Sequence, residues 1–316
     1  MIIHLLLFIV SCIILFGSGT LLVKSLEKIA RFLHITEYTA AFIIMAIATS
    51  LPELFVAITS GIEKDPAISL GNIVGANILD LTIVTGLIII ASRGIKIKSK
   101  TTRKDSLLMF IPLLLLLVLF FIGNSLSRID GAILIIVFFI FSYHLIKERK
   151  KEFKEKLENN VGRYKIVFQS MLFVVLLAVM FFSSKFVVHY AILISNDLKL
   201  PTLMIGLFLI SIGTVLPELT FGIAAALNNK GEIALGDQIG TIVVNSTLII
   251  GVAALVYPII TDILLFMISA VFLIVFAFIF ITFFHTGREL YVIEGIALIL
   301  LYLLFTFVEF YIKMMA

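Results

Sequence analysis

Long apolar runs separated by short polar breaks constrain this chain more than any other feature. A helix needs about 20 apolar residues to cross a bilayer, and ten runs of roughly this kind can be traced. Their approximate bounds are 3–22, 37–60, 68–92, 106–123, 130–146, 165–190, 202–227, 233–257, 262–285 and 290–312. Hydrophobic residues make up 61% of the 316 residues and charged residues 14%, a balance that excludes an ordinary water-soluble fold. We therefore predict an all-α integral membrane protein with about ten transmembrane helices.

The basic residues are distributed unevenly between the polar breaks. If successive breaks lie on alternate sides of the membrane, one side receives 19 of the 24 lysines and arginines and the other side 4. Loops rich in lysine and arginine stay in the cytoplasm. We therefore predict a multi-pass protein of the plasma (inner) membrane, with cytoplasmic basic loops and both termini outside. Since the basic charge encodes topology, we expect membrane lipid as a partner and no nucleic acid.

The sequence repeats itself at an offset of 165 residues. Between 43–87 and 208–252, 13 of 45 positions are identical without a gap. Five runs fall in each half, and an odd number of spans makes the second half enter the membrane from the opposite side. We predict two inverted five-helix repeats, 1–146 (motif 46–80) and 165–316 (motif 211–245), joined by a cytoplasmic linker at 147–164. Many secondary transporters have this plan and bind their substrate where the repeats meet.

Each repeat places a proline and a glutamate inside an apolar run. Pro52 and Pro217 lack a peptide N–H, so each leaves the peptide oxygen four residues earlier without its helical donor. Glu53 and Glu218 follow directly, and carboxylates within a span are costly and usually functional. Hydroxyl groups flank both pairs, at Thr49, Ser50, Ser211 and Thr214.

The next run of each repeat adds further oxygen ligands. Asp80 ends the stretch GNIVGANILD, and Asn245 ends GDQIGTIVVN at the same place; the paired glycines of both stretches favour close helix packing. Three carboxylates, one amide, hydroxyls and freed peptide oxygens form a set without His or Cys. Such oxygen ligands favour Ca²⁺, which takes about 6–8 of them, or Na⁺, over zinc or copper. We expect transported ions rather than a cofactor, and no enzyme activity.

These motifs resemble those of the sodium/calcium exchanger family, within the calcium/cation antiporters, and its prokaryotic members in particular. That family has two inverted repeats built around G-T-S-L-P-E and G-N-x-x-G-S-x-x-x-N/D. The resemblance implies an antiporter that exchanges Na⁺ for Ca²⁺ by alternating access, with the spans near 3–22 and 165–190 as a sliding pair. It implies calcium ligands at Glu53, Glu218, Thr49 and Thr214. It further implies residues for sodium or gating: Ser50, Asp80, Asn245, Thr241, Ala46 and Ser211.

Departures from the family pattern leave the counter-ion open. Val215 and Ala76 stand where the family has serines, so two sodium-facing hydroxyls are missing. Asp237 replaces an asparagine and is a candidate fourth carboxylate. Exchange of Ca²⁺ for H⁺, or exchange that depends on K⁺, is therefore the alternative, and we expect the protein to act as a monomer.

Functions of other classes fit the sequence less well. An intramembrane aspartyl protease needs two aspartates, one of them in G-x-G-D, whereas the matching stretch here is Ala234-Leu235-Gly236-Asp237 and no Tyr-Asp partner is present. A passive channel would need polar residues along its spans, and here the polar groups converge on one level.

Overall fold

The computed structural model describes residues 1–32, 46–97, 100–149, 163–261, 263–286 and 289–315. Most of the predicted linker at 147–164, and the first part of the predicted run 37–60, lie outside these residues. The helices are α1 (Ile2–Phe32), α2 (Ala46–Thr49), α3 (Leu51–Ile62), α4 (Pro66–Leu79), α5 (Thr85–Ala91), α6 (Lys100–Gly123), α7 (Arg128–Arg149), α8 (Arg163–Leu198), α9 (Thr202–Met204), α10 (Ser211–Thr214), α11 (Leu216–Leu227), α12 (Gly231–Val244), α13 (Ile250–Val256), α14 (Ile263–Thr286) and α15 (Val292–Met315). Three π-helical segments join helix pairs: π1 (Asp80–Val84), π2 (Ile205–Ile210) and π3 (Asn245–Ile249).

Seven helices in the described part of the chain are long and apolar enough to cross a membrane. They are Ile2–Leu26, Pro66–Ala91, Thr102–Gly123, Val167–Leu198, Gly231–Val256, Phe266–His285 and Val292–Ile312. A pair bent by 40°, Thr202–Thr214 and Leu216–Leu227, makes an eighth if it is counted as one span. Helix α7 lies over the predicted run 130–146, and α2 with α3 covers the described part of 37–60. A helical membrane protein is thus confirmed, while the number ten stays a prediction.

The prolines of the repeated motif interrupt two helices, and a second short helix continues after each interruption. Pro52 lies in the first turn of α3 and Pro217 in the first turn of α11, where a missing N–H is tolerated. The chain continues across each break, because the N–H of Ser50 donates to the oxygen of Ala46 at 3.2 Å and that of Val215 to Ser211 at 3.0 Å. Each break therefore places helix ends inside the protein, and some peptide groups at these ends lack a hydrogen-bond partner within the helix.

The two spans that carry the second motif form the centre of the molecule. Pro66–Ala91 is 83% buried in its apolar window and Gly231–Val256 is 78% buried, against 28–39% for the other five. Helices α1 and α8 pack along each other, and α6, α7, α14 and α15 cover the remaining sides. Because protein rather than lipid surrounds the central spans, polar groups on them can be accommodated.

Short backbone contacts link the two halves at their loops. Strand β1 (Ile95–Lys96) pairs antiparallel with β2 (Glu289–Leu290). Elsewhere Leu126 and Ile259 exchange two peptide hydrogen bonds of 2.8 and 2.9 Å. Both contacts join a first-half loop to a second-half loop.

Glycines bring helices of the two halves into backbone contact. A Cβ on Gly86 would lie 2.6 Å from the oxygen of Gly295, where α5 crosses α15, and a Cβ on Gly131 would lie 2.7 Å from the oxygen of Gly251, where α7 crosses α13. On α4, a Cβ on Gly71 would overlap the peptide oxygen of Leu203. The predicted close approach at the first glycine pair is therefore confirmed, and the reason is direct contact with peptide oxygens.

Candidate functional site

The structure buries every residue that the sequence predicts for the site. None has more than 1% of its surface exposed, although ten of the eleven are polar or charged. They are Ala46, Thr49, Ser50, Glu53, Asp80, Ser211, Thr214, Glu218, Asp237, Thr241 and Asn245. Burial of carboxylates to this degree is rare unless they are paired with other groups or with ions.

The helix breaks position one part of this set. Thr49 ends α2 and Thr214 ends α10, each just before a break. Glu53 and Glu218 lie in the first turns of α3 and α11. The N-terminus of a helix favours negative charge, so the break that frees peptide oxygens also supports the carboxylate.

The π-helical segments position another part. Asp80 is the first residue of π1 and Asn245 the first residue of π3. Single wide turns of this kind occur often at functional sites. Asp237, Thr241 and Asn245 are spaced four residues apart, so they lie on one face of the central helix of the second half.

The carboxylates of the two halves lie close enough to repel one another. Asp80 interacts with Glu53 and with Asp237, and Glu218 interacts with all three others. Four acidic side chains from four helical segments thus share one buried region. Their mutual repulsion in a medium of low dielectric constant is relieved by a bound cation or by protonation of some of them.

Many polar atoms of this region have no hydrogen-bond partner among the described residues. They include eight carboxylate oxygens of Glu53, Asp80, Glu218 and Asp237, the hydroxyls of Ser50 and Thr241, and Oδ1 of Asn245. Buried acceptors are normally satisfied. An oxygen-rich set of this size fits a hard cation, which takes carboxylate, amide, hydroxyl and peptide oxygens together.

The carboxylates are not gathered into a compact acidic group. In the part of the chain that the structure describes, no three Asp, Glu, His or Cys side chains lie close enough to hold one metal ion among them. Neutral oxygens are interleaved with the acidic ones, and the hydroxyl of Thr214 provides an example. It neighbours the carboxylate of Glu53 but donates its one hydrogen to Oδ1 of Asn72 at 3.0 Å.

The contacts across the halves are reciprocal around the breaks. Helix α10 packs on α4, and its counterpart α2 packs on α12. Ser211, at the start of α10, lies against Gly75, where an added Cβ would be 2.8 Å from the serine Oγ. Each interrupted helix therefore meets the central span of the other half.

Sequence reasoning missed an amide group that links the halves. Asn77 is fully buried; its Oδ1 accepts a hydrogen bond from Nδ2 of Asn245 at 3.2 Å, and its Nδ2 donates to Oγ of Ser246 at 2.9 Å. An asparagine inside an apolar span is itself a signal of function, and it could have identified Asn77. Nothing in the sequence pairs it with Asn245.

Comparison with known families identifies the chain. The family model described as sodium/calcium exchanger protein matches residues 3–147 and 168–311. The chain belongs to the sodium/calcium exchanger family. Sodium/calcium antiport, predicted from the sequence, is the function that this membership supports, and neither the proton-coupled nor the potassium-dependent alternative is favoured.

Two individual relatives are similar to this chain over most of its length. The exchanger chain is 28% identical to the sodium/calcium exchanger MaX1 of Methanosarcina acetivorans over 98% of this chain and 99% of that protein. It is 32% identical to the uncharacterized membrane protein MJ0091 of Methanocaldococcus jannaschii over 74% of this chain and 76% of that one.

The fold agrees as well. The structure matches the sodium-calcium exchanger NCX_Mj soaked with 10 mM Na⁺ and zero Ca²⁺ with a TM-score of 0.66 and 26% identity, over 96% of this chain and 97% of that one. A match of similar quality, with a TM-score of 0.67, is found to the same protein soaked with 10 mM Na⁺ and 10 mM Sr²⁺. The exchanger fold is therefore present along almost the whole chain.

Proposed function

We propose that this protein exchanges Na⁺ for Ca²⁺ by alternating access, with both ions using one buried site between the halves. The observation that carries the proposal is the electrostatic interaction of Glu53 with Glu218, one from each half, among buried oxygens that have no hydrogen-bond partner among the described residues. A carboxylate in such surroundings is stabilised by a cation that replaces its lost hydration. A bound Na⁺ or Ca²⁺ offsets part of the negative charge of the site.

The calcium ligands are, on this proposal, the carboxylates of Glu53 and Glu218 with peptide oxygens of Thr49 and Thr214. Sodium and gating involve a second group of residues: Ser50, Asp80, Asn245, Thr241, Ala46 and Ser211. Asp237 adds a fourth carboxylate on the face that it shares with Thr241. The common burial of all these residues supports the assignment.

We further propose that the halves are inverted repeats and that ten helices span the membrane. Two kinds of contact support a two-fold relation. The loop contact between Ile95 and Leu290 corresponds to the contact between Ile259 and Leu126 when each residue is exchanged for the one 164 positions away. The family model likewise matches two segments that begin 165 residues apart.

The glycine crossings support the same relation. Gly86 contacts Gly295, and Gly251 contacts Gly131, so each crossing is reproduced by exchanging the halves. The two-fold axis implied by these pairs would lie in the membrane plane, as in other transporters with inverted repeats.

The sliding element in this mechanism is the pair formed by α1 and α8. Buried residues of α1 recur every three or four positions, the spacing of a coiled-coil seam: Phe8, Ser11, Leu15, Ser18, Leu22 and Ser25. Ser25 of this face donates to the peptide oxygen of Gln169 on α8 at 3.0 Å, and the hydroxyl of Ser183 on α8 donates to the peptide oxygen of Ser11 at 2.7 Å. These bonds hold α1 and α8 together, so we expect the pair to slide as one unit.

Helix α1 also touches both interrupted helices. A Cβ on Gly19 would lie 3.3 Å from Cγ of Pro52 and 3.5 Å from Cγ of Pro217. A movement of α1 therefore changes the packing against both breaks at once, which couples the ligands of the two halves to the sliding pair.

The charge distribution supports the orientation predicted from the sequence. We propose a plasma-membrane location with both termini outside, with the basic loops in the cytoplasm and with the protein acting as a monomer. Cysteine accessibility at the exposed loop residues Lys64 and Lys230, which should lie on opposite sides, tests the orientation in intact cells.

The function is tested by reconstitution into proteoliposomes. An outward Na⁺ gradient is expected to drive uptake of radioactive Ca²⁺, and the uptake should disappear when the gradient is dissipated. Parallel arms replace the Na⁺ gradient by a pH gradient, or add K⁺ to the Na⁺-driven assay. Uptake with a pH gradient alone would establish proton coupling, a K⁺ requirement would establish the other alternative, and no uptake in any arm would refute antiport.

A further inference from the structure

The amide of Asn77 has both of its ends bound to the second half of the chain. Asn77 lies on α4, three residues before Asp80, and both of its partners, Asn245 and Ser246, open the wide turn π3. All three partners in this chain of hydrogen bonds are fully buried. With Asn77 acting as acceptor toward Asn245 and as donor toward Ser246, the orientation of one amide determines that of the other.

The same contact fixes the orientation of Asn245. Its Nδ2 donates to Asn77, so its Oδ1 points away from Asn77 within the amide plane. That Oδ1 is buried and has no hydrogen-bond partner among the described residues. It lies on the helix face that also carries Thr241 and Asp237, whose side-chain oxygens are likewise without partners.

The opposite half has no such contact. The position equivalent to Asn77 is Ile242, and the position equivalent to Ser246 is Leu81. Asp80, the counterpart of Asn245, accepts no hydrogen bond from the described residues. A carboxylate presents an oxygen whichever way it turns, whereas an amide must be oriented to present its oxygen rather than its NH₂.

We propose that Asn77 is a positioning residue, which holds the amide of Asn245 so that its Oδ1 faces the transported sodium ion. The inference rests on the proposed function, because it concerns a ligand of the same site. Outer partners that orient a metal ligand typically influence affinity by about 10–100-fold, and Asn77 has the geometry of such a partner.

The test compares variants that keep or remove the acceptor for Asn245. Asn77→Leu removes it at similar volume and is expected to raise the Na⁺ concentration for half-maximal exchange about tenfold, the lower end of the usual range, with little change in maximal rate. Asn77→Asp retains an acceptor and should leave that concentration at or below the wild-type value. Ser269→Ala, which removes a buried hydrogen bond to Glu309 far along the chain, serves as the matched control and should not change it.

A double variant separates positioning from general support of the fold. If Asn77 acts through Asn245, adding Asn77→Leu to Asn245→Ala will raise the half-maximal Na⁺ concentration no further, because coupled residues are not additive. Additive effects, or an Asn77→Leu variant with unchanged apparent Na⁺ affinity, would overturn the proposal.

Should Asn77→Leu fail to fold, Ser246→Ala provides a second test, because it frees the other end of Asn77. It is expected to raise the half-maximal Na⁺ concentration by a smaller factor and to add nothing to Asn245→Ala. An additive effect, or no change in this variant, also overturns the proposal. Absence of Na⁺-driven flux in the wild-type protein, measured in the same preparation, would instead overturn the proposed function.

Discussion

The first half of the chain contributes Glu53 and Asp80 to the buried cluster, and the second contributes Glu218, Asp237 and Asn245. The backbone contacts around them are nearly the same in both halves, as the two glycine crossings and the two loop contacts indicate. The polar side chains differ between the halves: Asp80 of the first half corresponds to Asn245 of the second, and Asn72 of the first corresponds to Asp237 of the second.

This difference separates two requirements on an exchanger. Alternation between an outward-facing and an inward-facing state requires two halves with nearly the same backbone packing. That requirement applies to the backbone and to the residues at helix crossings. Binding needs one complete set of ligands at the interface. Ligands drawn from both halves can therefore differ between them, provided that the combined charge and oxygen count suit the ion.

The largest effect is expected from removing either shared glutamate. Glu53→Gln or Glu218→Gln deletes one of the two buried charges that we propose as calcium ligands, a change of about 3 kcal/mol in comparable contacts, or about 100-fold in affinity. Ca²⁺-dependent uptake over a range of Ca²⁺ concentrations measures this loss. Glu63→Gln, at an exposed position after α3, is the control, and near-normal affinity in either site variant would mean that the halves do not share one ion.

The next effect tests the symmetry of the frame. Gly86→Ala and Gly251→Ala are expected to lower the free energy of unfolding by similar amounts, about 1–3 kcal/mol. Each new Cβ would meet a glycine oxygen of the other half, at 2.6 and 2.8 Å, and an isoleucine Cγ1, at 2.9 and 2.8 Å. Thermal unfolding in detergent measures both variants. Gly17→Ala, with nothing within 4 Å, should be neutral or stabilising because alanine favours the helix; equal losses at all three positions would contradict the explanation.

A smaller effect tests the asymmetry of the ligands. Asp80→Asn removes one carboxylate and is expected to weaken apparent Ca²⁺ affinity about tenfold, or about 1.4 kcal/mol. Adding Asn245→Asp restores the number of carboxylates and amides, now with the aspartate in the second half and the asparagine in the first. The new aspartate can be accommodated, because the amide of Asn77 can turn over while the hydroxyl of Ser246 changes from acceptor to donor.

We expect the double variant to recover to within about threefold of the wild type, a sign of coupled positions. Flux measurements on the two single variants provide the reference values. If the double variant loses as much Ca²⁺ affinity as the two single variants together, the position of the carboxylate in one particular half matters as well as the number of carboxylates.

The smallest effect concerns the fourth carboxylate. Asp237→Asn relieves repulsion among buried acidic groups, so it is expected to stabilise the ion-free protein by about 1 kcal/mol and to reduce the rise in unfolding temperature on adding Ca²⁺. The reverse change at the equivalent position, Asn72→Asp, should destabilise the ion-free protein. Unfolding temperatures with and without Ca²⁺ measure both, and a shift of the same sign in both variants would argue against charge as the cause.

Particular residues show how far sequence reasoning extends. The burial of Glu53 and Glu218 follows from their place inside apolar runs, and the helix breaks follow from Pro52 and Pro217, since both are properties of a few consecutive residues. The wide turns that begin at Asp80 and Asn245 were not predicted. No residue type marks a π-helical turn, because it depends on how the helix packs against its neighbours.

The sequence by itself determined that the chain is a helical membrane protein, that its halves are related, and that acidic groups lie within the spans. These properties follow from transfer free energies and backbone hydrogen bonding, which act locally along the chain. Only the tertiary structure decided which polar groups meet, as in the contact of Asn77 with a residue 168 positions away. Such contacts depend on how the helices of one half pack against those of the other, and the residues on either side of Asn77 carry no record of that packing.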